Sequence, residues 1–174
     1  PYLVTTSLSQ QLFSEAVKRG VIVKSLTNSL SSTDNLEAFN GYQRDRKALL
    51  NTGINIYEFK PDAQIRYKIM TGALQKQIDY KPIFGLHAKS MVVDEEIAVI
   101  GTFNLDPRSA NLNTECITII HDLKIAGNLY RAMEEDMKPE NAWHTTKDFD
   151  PDVFAGRSKQ IKAWLRGAVP KEVL

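Results

Sequence analysis

The chain has 174 residues, 43% of them apolar and 25% charged, with a formal net charge of +1. That balance excludes a disordered tail, a collagen-like repeat and a uniformly basic nucleic-acid-binding surface. One domain spanning 1–174 buries enough surface to fold without disulfides or metal, and no apolar run approaches the roughly 20 residues of a membrane-spanning helix.

Tyr2–Thr5 reads as a strand directly after Pro1. A chain seldom begins inside a core strand, so a piece of a longer protein is expected. Ser9 precedes a run with Leu12, Phe13, Ala16 and Val17 on one face, closed by Gly20, which reads as a helix with a glycine stop. Val21–Leu26 is the next strand, and the polar stretch Thr27–Thr33 a loop. Asp34, with Glu37 three residues on, is expected to cap a helix running to about Asn51. Gly53 stops it, and Ile54–Phe59 follows as a strand. Residues 60–82 carry mixed signals (Pro61, Gly72, Pro82) and receive no assignment.

From Gly85 the pattern becomes β-rich. Ala88–Val93 and Ile97–Ile100 are expected strands joined by a tight turn at Asp94-Glu95-Glu96, a solvated pair of acids at its tip. A polar loop spans Thr102–Thr114, Glu115–Ile120 is a third strand, and Leu123–Met137 is helical by period. Cys116, the single cysteine, lies in an apolar run and is expected to be a buried, inert thiol. The tail 151–174 carries Arg157, Lys159, Lys162, Arg166 and Lys171 among Phe154, Ile161, Trp164 and Leu165. Such a segment suits docking onto another domain or onto an anionic membrane surface. Alternating helices and strands predict an α/β domain, a mixed β-sheet flanked by helices on both faces.

Polar groups concentrate between His87 and Glu115. Residues two apart on a strand share a face, so His87 and Lys89 lie side by side. An imidazole beside an ammonium calls for an anion between them, and a phosphoryl group fits: the lysine binds a non-bridging oxygen while the imidazole attacks phosphorus or passes a proton. Thr102 and Asn104, after Gly101, place a hydroxyl and a carboxamide at a strand end. Glu115 is positioned to orient His87 through its far ring nitrogen. Asp106-Pro107-Arg108-Ser109 reads as a turn. His121 and His144 match nothing and read as surface or packing residues.

His87-Ala88-Lys89 followed by Asp94 fits HxKxxxxD, and GTFNLDPRSANLNTE (101–115) fits a GSxN segment with its trailing glutamate. With PYLVTT and GYQRDRKALLNTGINIYEF (41–59), the chain resembles the phospholipase D superfamily, in particular the second half of bacterial cardiolipin synthase-like members. Thr102 departs from the usual serine but keeps the hydroxyl. The resemblance implies a phospholipase D-type half-domain and one site built from two such motifs, in one chain or two subunits. It further implies a covalent phosphohistidine and no metal or other cofactor. His87, Lys89, Asn104 and Glu115 would be catalytic. Asp94, Gly101, Thr102, Arg108 and Ser109 would support them, with Asp94 structural and Arg108 and Ser109 at the entrance. The implied substrate is a phospholipid such as phosphatidylglycerol, and the implied location is bacterial, cytoplasmic or peripheral to the cytoplasmic membrane. A homodimeric endonuclease of the same superfamily is an alternative, though near-neutral charge disfavours nucleic acid. A half-site that only binds when isolated is another.

Overall fold

In the computed structural model, residues 2–69, 83 and 85–166 are described; Gly72, Pro82 and Lys171 lie outside them. The helix α1 (Ser7–Lys18) starts earlier than Ser9 suggests, because Thr6 is its cap and accepts from the Ser9 N–H. A cap's oxygen reaches the amide three residues ahead, so Ser9 is the residue capped. Strand β1 (Lys24–Asn28) runs parallel to β2 (Asn55–Phe59), connected by α2 (Leu36–Asn51). β1 begins three residues later than the apolar pattern predicts, since Val21 and Ile22 face solvent and Thr27 and Asn28 are buried instead. Asn35, not Asp34, caps α2 by accepting from the Ala38 N–H. The Asp34 carboxylate is occupied otherwise, accepting from the Tyr2 hydroxyl at 3.2 Å.

Leu36, Phe39, Tyr42 and Leu49 of α2 pack with Leu3, Leu30, Ile54, Ile56, Ala155 and Ala163 into the main core. Gly53 holds a φ of +90°, and a Cβ there would meet Val17 Cγ1 at 2.9 Å, so glycine both turns the chain and lets α1 close on it. A short α3 (Arg66–Ile69) follows β2.

β3 (Ser90–Val93) and β4 (Ile97–Gly101) form an antiparallel hairpin whose tip residues Asp94 and Glu95 have φ of 52° and 58°. Two successive positive φ values, closed by the Glu96 N–H donating to Val93 O at 3.0 Å, turn the chain within a three-residue loop between the paired Val93 and Ile97. β5 (Ile117–His121) pairs antiparallel to β4. The loop between them carries a short helix, α4 (Pro107–Asn111), capped by Asp106. The helix α5 (Leu123–Asp136) packs on β3, β4 and β5. β6 (Ala142–Thr145) then returns antiparallel to β2, and a 3-10 turn (Pro151–Phe154) leads into α6 (Arg157–Leu165), which lies against α2.

The domain is therefore mixed α/β with helices packed on its strands, but the strands divide into two three-stranded sheets, β1-β2-β6 and β3-β4-β5. The predicted strand at Tyr2–Thr5 is reduced to one bridge between Leu3 and Leu105, with Val4 N–H donating to Leu105 O at 2.8 Å. Cys116 is exposed rather than buried, because β5 starts one residue after it and presents an open face. His144 stacks on Tyr57 at 4.8 Å between centroids.

Beneath the first sheet, Arg46 is buried and pairs with Glu58 at 3.3 Å, Asp152 at 2.9 Å and Asp150. Glu58 also accepts from the Tyr42 hydroxyl at 2.7 Å and the Thr145 hydroxyl at 3.0 Å. Burial still pushes the Glu58 carboxyl up to about 7, against the opposing pull of Arg46 and these donors.

Candidate active site

His87 is exposed and Lys89 half-buried, on the segment that feeds β3. Lys89 Nζ lies 3.0 Å from His87 Nε2 and donates to the His87 carbonyl oxygen at 2.9 Å. An ammonium can only donate, so in this contact Nε2 is the acceptor and a neutral ring carries its proton on Nδ1. Its lone pair therefore sits beside a cation. Partial burial lowers the Lys89 pKa from its usual value, and the carboxylates of Glu115, Asp106 and Asp34 resist that change. The Gly101 N–H donates to Lys89 O at 3.1 Å, which ties the segment to β4.

Gly101 stands where β4 meets β5 most closely: a Cβ there would lie 2.1 Å from Cys116 O. Thr102, next in the chain, donates its hydroxyl to Glu115 Oε2 and accepts from the Cys116 N–H at 3.0 Å. Asn113 Nδ2 donates to Glu115 Oε1 at 3.1 Å, and Arg108 Nε to Asn113 Oδ1 at 3.4 Å. Glu115 therefore does not reach His87 as expected; nearer donors take both of its oxygens. Those hydrogen bonds, Thr102's first and Asn113's second, hold its carboxyl below the ordinary range. Ser109 is buried, donates its N–H to Asp106 Oδ1 at 2.6 Å and receives the Asn104 N–H on its hydroxyl at 3.3 Å. The Asn104 side-chain oxygen is buried with no hydrogen-bond partner among the described residues.

A cleft of about 520 Å³ is lined by His87, Lys89, Gly101 and Thr102 on its polar side and by Ala88, Ile100 and Leu129 on its apolar side. There is room for an anion beside the imidazole and the ammonium. Asn104, Arg108, Ser109 and Glu115 are not among the residues that line this cleft, and Asp94 sits at the far end of the β3–β4 hairpin. Sequence reasoning missed Leu129, which the apolar period of α5 hides among packing residues. It also missed Asn28 and Ser32, inside the stretch read as a loop.

Residues 1–137 match the family described as cardiolipin synthase, PLD-like domain. The chain belongs to that family. Over 125 residues it is 35% identical to cardiolipin synthase C of Escherichia coli K12, covering 72% of this chain and 26% of that one. A phosphatidylserine synthase structure from Haemophilus influenzae shares the fold over 100% of this chain and 40% of its own, with TM-score 0.59 and 13% identity. The phospholipase D family member Nuc of Salmonella typhimurium does so over 83% of this chain and 78% of its own, with TM-score 0.51 and 18% identity. The curated family relatives matched over most of the chain are longer: it spans 26% to 35% of their length.

Proposed function

We propose that this chain supplies one of two half-sites of a cardiolipin synthase-type phosphatidyltransferase that works through a phosphohistidine. The observation that carries the reading is the 3.0 Å contact between the Lys89 ammonium and the His87 Nε2 lone pair at a cleft wide enough for a phosphodiester. In the first step Nε2 bonds to phosphorus, the bond to the leaving alcohol breaks, and that oxygen takes a proton from an imidazole of the second half-site. In the second, an incoming alcohol gives its proton to that same imidazole, attacks phosphorus and releases His87. Lys89 holds a non-bridging oxygen throughout, a cation aimed at charge that grows in the transition state. Thr102 and Glu115 keep the β4–β5 connection shaped around the cleft, and Asn104 offers its unpartnered oxygen. Phosphatidylglycerol or a related phospholipid is the fitting substrate, and the apolar wall of Ala88, Ile100 and Leu129 suits a lipid better than a nucleic acid.

The second half-site, from the same chain or another subunit, has a natural seat. Met91, Val93, Ile117 and Ile119 are 53%, 40%, 48% and 60% exposed on one face of the second sheet, starting two residues from Lys89. Among the described residues no helix is long and apolar enough to cross a membrane. Peripheral contact with an anionic bilayer is the consistent alternative, and Ile161, Trp164 and Leu165 on the outer side of α6 are placed to make it.

The test is made on the assembly that carries both motifs. With phosphatidylglycerol labelled at its phosphorus, alkaline denaturation and peptide mapping should find the phosphohistidine on His87, and His87→Ala should lower turnover by about 10³-fold or more. Wild-type turnover in His87→Ala would overturn the mechanism. Plasmid cleavage without phosphatidyl transfer would replace it with the endonuclease reading.

A further inference from the structure

We propose that Asn28 is a positioning residue for His87. It is the last residue of β1, 2% exposed, and both polar ends of its side chain reach Leu86, 58 positions ahead. Nδ2 donates to Leu86 O at 2.8 Å, while the Leu86 N–H donates to Oδ1 at 2.7 Å. One carboxamide thus reproduces the pair of bonds that a neighbouring strand would give to Leu86. The Leu86 carbonyl belongs to the peptide unit that ends on the His87 nitrogen. Holding it fixes the plane from which the His87 Cα departs.

The clamp is itself held. Ser32 Oγ donates to Asn28 Oδ1 at 3.3 Å, and Ser29 and Ser32, both buried, bond to each other through hydroxyls and backbone amides at 3.0 to 3.2 Å. From outside, Lys159 of α6 donates to Ser31 O at 3.0 Å and Thr33 O at 2.8 Å, closing the same turn. Gly85 completes the fit, since a Cβ there would stand 3.0 Å from Ser32 O.

His87 depends on this arrangement because little else fixes it. Its side chain is exposed, and among the described residues it bonds to Lys89 alone. Its backbone hangs between two anchors: Asn28 on Leu86 behind it, and the Gly101 N–H on Lys89 O ahead. Removing the first leaves the imidazole free to swing about the second. Displacements of about 1 Å at a reacting group cost on the order of 10²-fold in rate.

The kinetic consequence rests on the phosphohistidine reading above, and the experiment separates the two. Asn28→Ala is made in the assembly that carries both motifs, with a thermal melt to confirm folding. kcat and KM are measured on phosphatidylglycerol, and the His87 imidazole is titrated by ¹⁵N NMR. The expected result is a fall in kcat of about 10- to 100-fold with KM within about twofold, together with a displaced His87 titration. A folded variant with wild-type kcat overturns the proposal. If the wild-type assembly transfers no phosphatidyl group, the phosphohistidine reading falls, and the His87 titration decides the clamp alone: displaced supports it, unchanged refutes it. Should Asn28→Ala not fold, Asn28→Asp decides by the same criteria; it still accepts from Leu86 N–H but cannot donate to Leu86 O.

Discussion

At Lys89 the chemistry and the burial pull in opposite directions. The proposed mechanism needs the ammonium charged, yet burial makes it surrender its proton at a lower pH than an ordinary lysine. The alkaline limb of kcat/KM should follow that loss, and Lys89→Arg, whose guanidinium stays charged, should move the limb to higher pH even if the maximum rate drops. A pH profile of both proteins checks it; an unmoved limb removes Lys89 from the titration. Glu58 shows the same conflict in the core. In the unfolded chain it loses its proton near its ordinary value of 4.5, whereas the folded state keeps it up to about 7. The folded state binds the extra proton across that window, so stability falls as pH rises through it, by roughly 1.4 kcal/mol per pH unit at most. Glu58→Gln should flatten the curve, read from urea midpoints at several pH values. These residues differ in how visible they are before folding. His87 and Lys89 declare themselves by their two-residue spacing just ahead of β3, a local property. Asn28 does not, because its meaning lies in a contact with Leu86 across 58 residues.

Elements were legible where their cause was local. The Asp94-Glu95-Glu96 turn, the stop at Gly53 and the end of α2 at Asn51 fall where turn chemistry and apolar period put them. The start expected at Leu123 holds, but those of α1 and α2 slipped by up to three residues, since several neighbouring hydroxyl, amide and carboxyl side chains competed for each cap and tertiary partners chose among them, as Tyr2 did for Asp34. β6 and the 3-10 turn were not predicted at all; buried Thr145 donates to Glu58 on β2, buried Asn141 bonds to Ile65 and Glu135, and Asp152 pairs with Arg46 of α2, long-range contacts that no periodicity reveals. Gly101 belongs to this scale because it sets the spacing of two strands. Gly101→Ala would force its methyl into the Cys116 carbonyl, and only separation of β4 from β5 relieves that. A loss of about 1–3 kcal/mol in urea unfolding is expected, with turnover falling further than stability because Thr102 and Glu115 sit in the connection between those strands. An unchanged midpoint would mean that the two strands are not so tightly set.

Over the whole molecule, the split into two small sheets went unforeseen because strand runs give the number of strands but not their partners. Among the described residues, the links between the two halves include the Leu3–Leu105 bridge, the Asn28 clamp and the Lys24–Glu134 ion pair from β1 to α5. The open face of Met91, Val93, Ile117 and Ile119 is a second property that belongs to the whole, since each of these residues alone reads as an ordinary strand position. A contiguous apolar face of this kind marks a contact surface. Light scattering of the isolated chain should therefore show self-association, and Ile119→Glu should return it to a monomer. A wild-type monomer with unchanged Ile119→Glu behaviour would argue that the face stays wet.

The left-handed pair at Asp94 and Glu95 has a practical corollary. In the proposed reading the final letter of HxKxxxxD supports a hairpin arm, and the tip it occupies is exposed to solvent and outside the lining of the cleft. A fluorescent tag or affinity peptide spliced in after Glu95, with Asp94 kept, would therefore give a handle on the assembly outside the lining of the cleft.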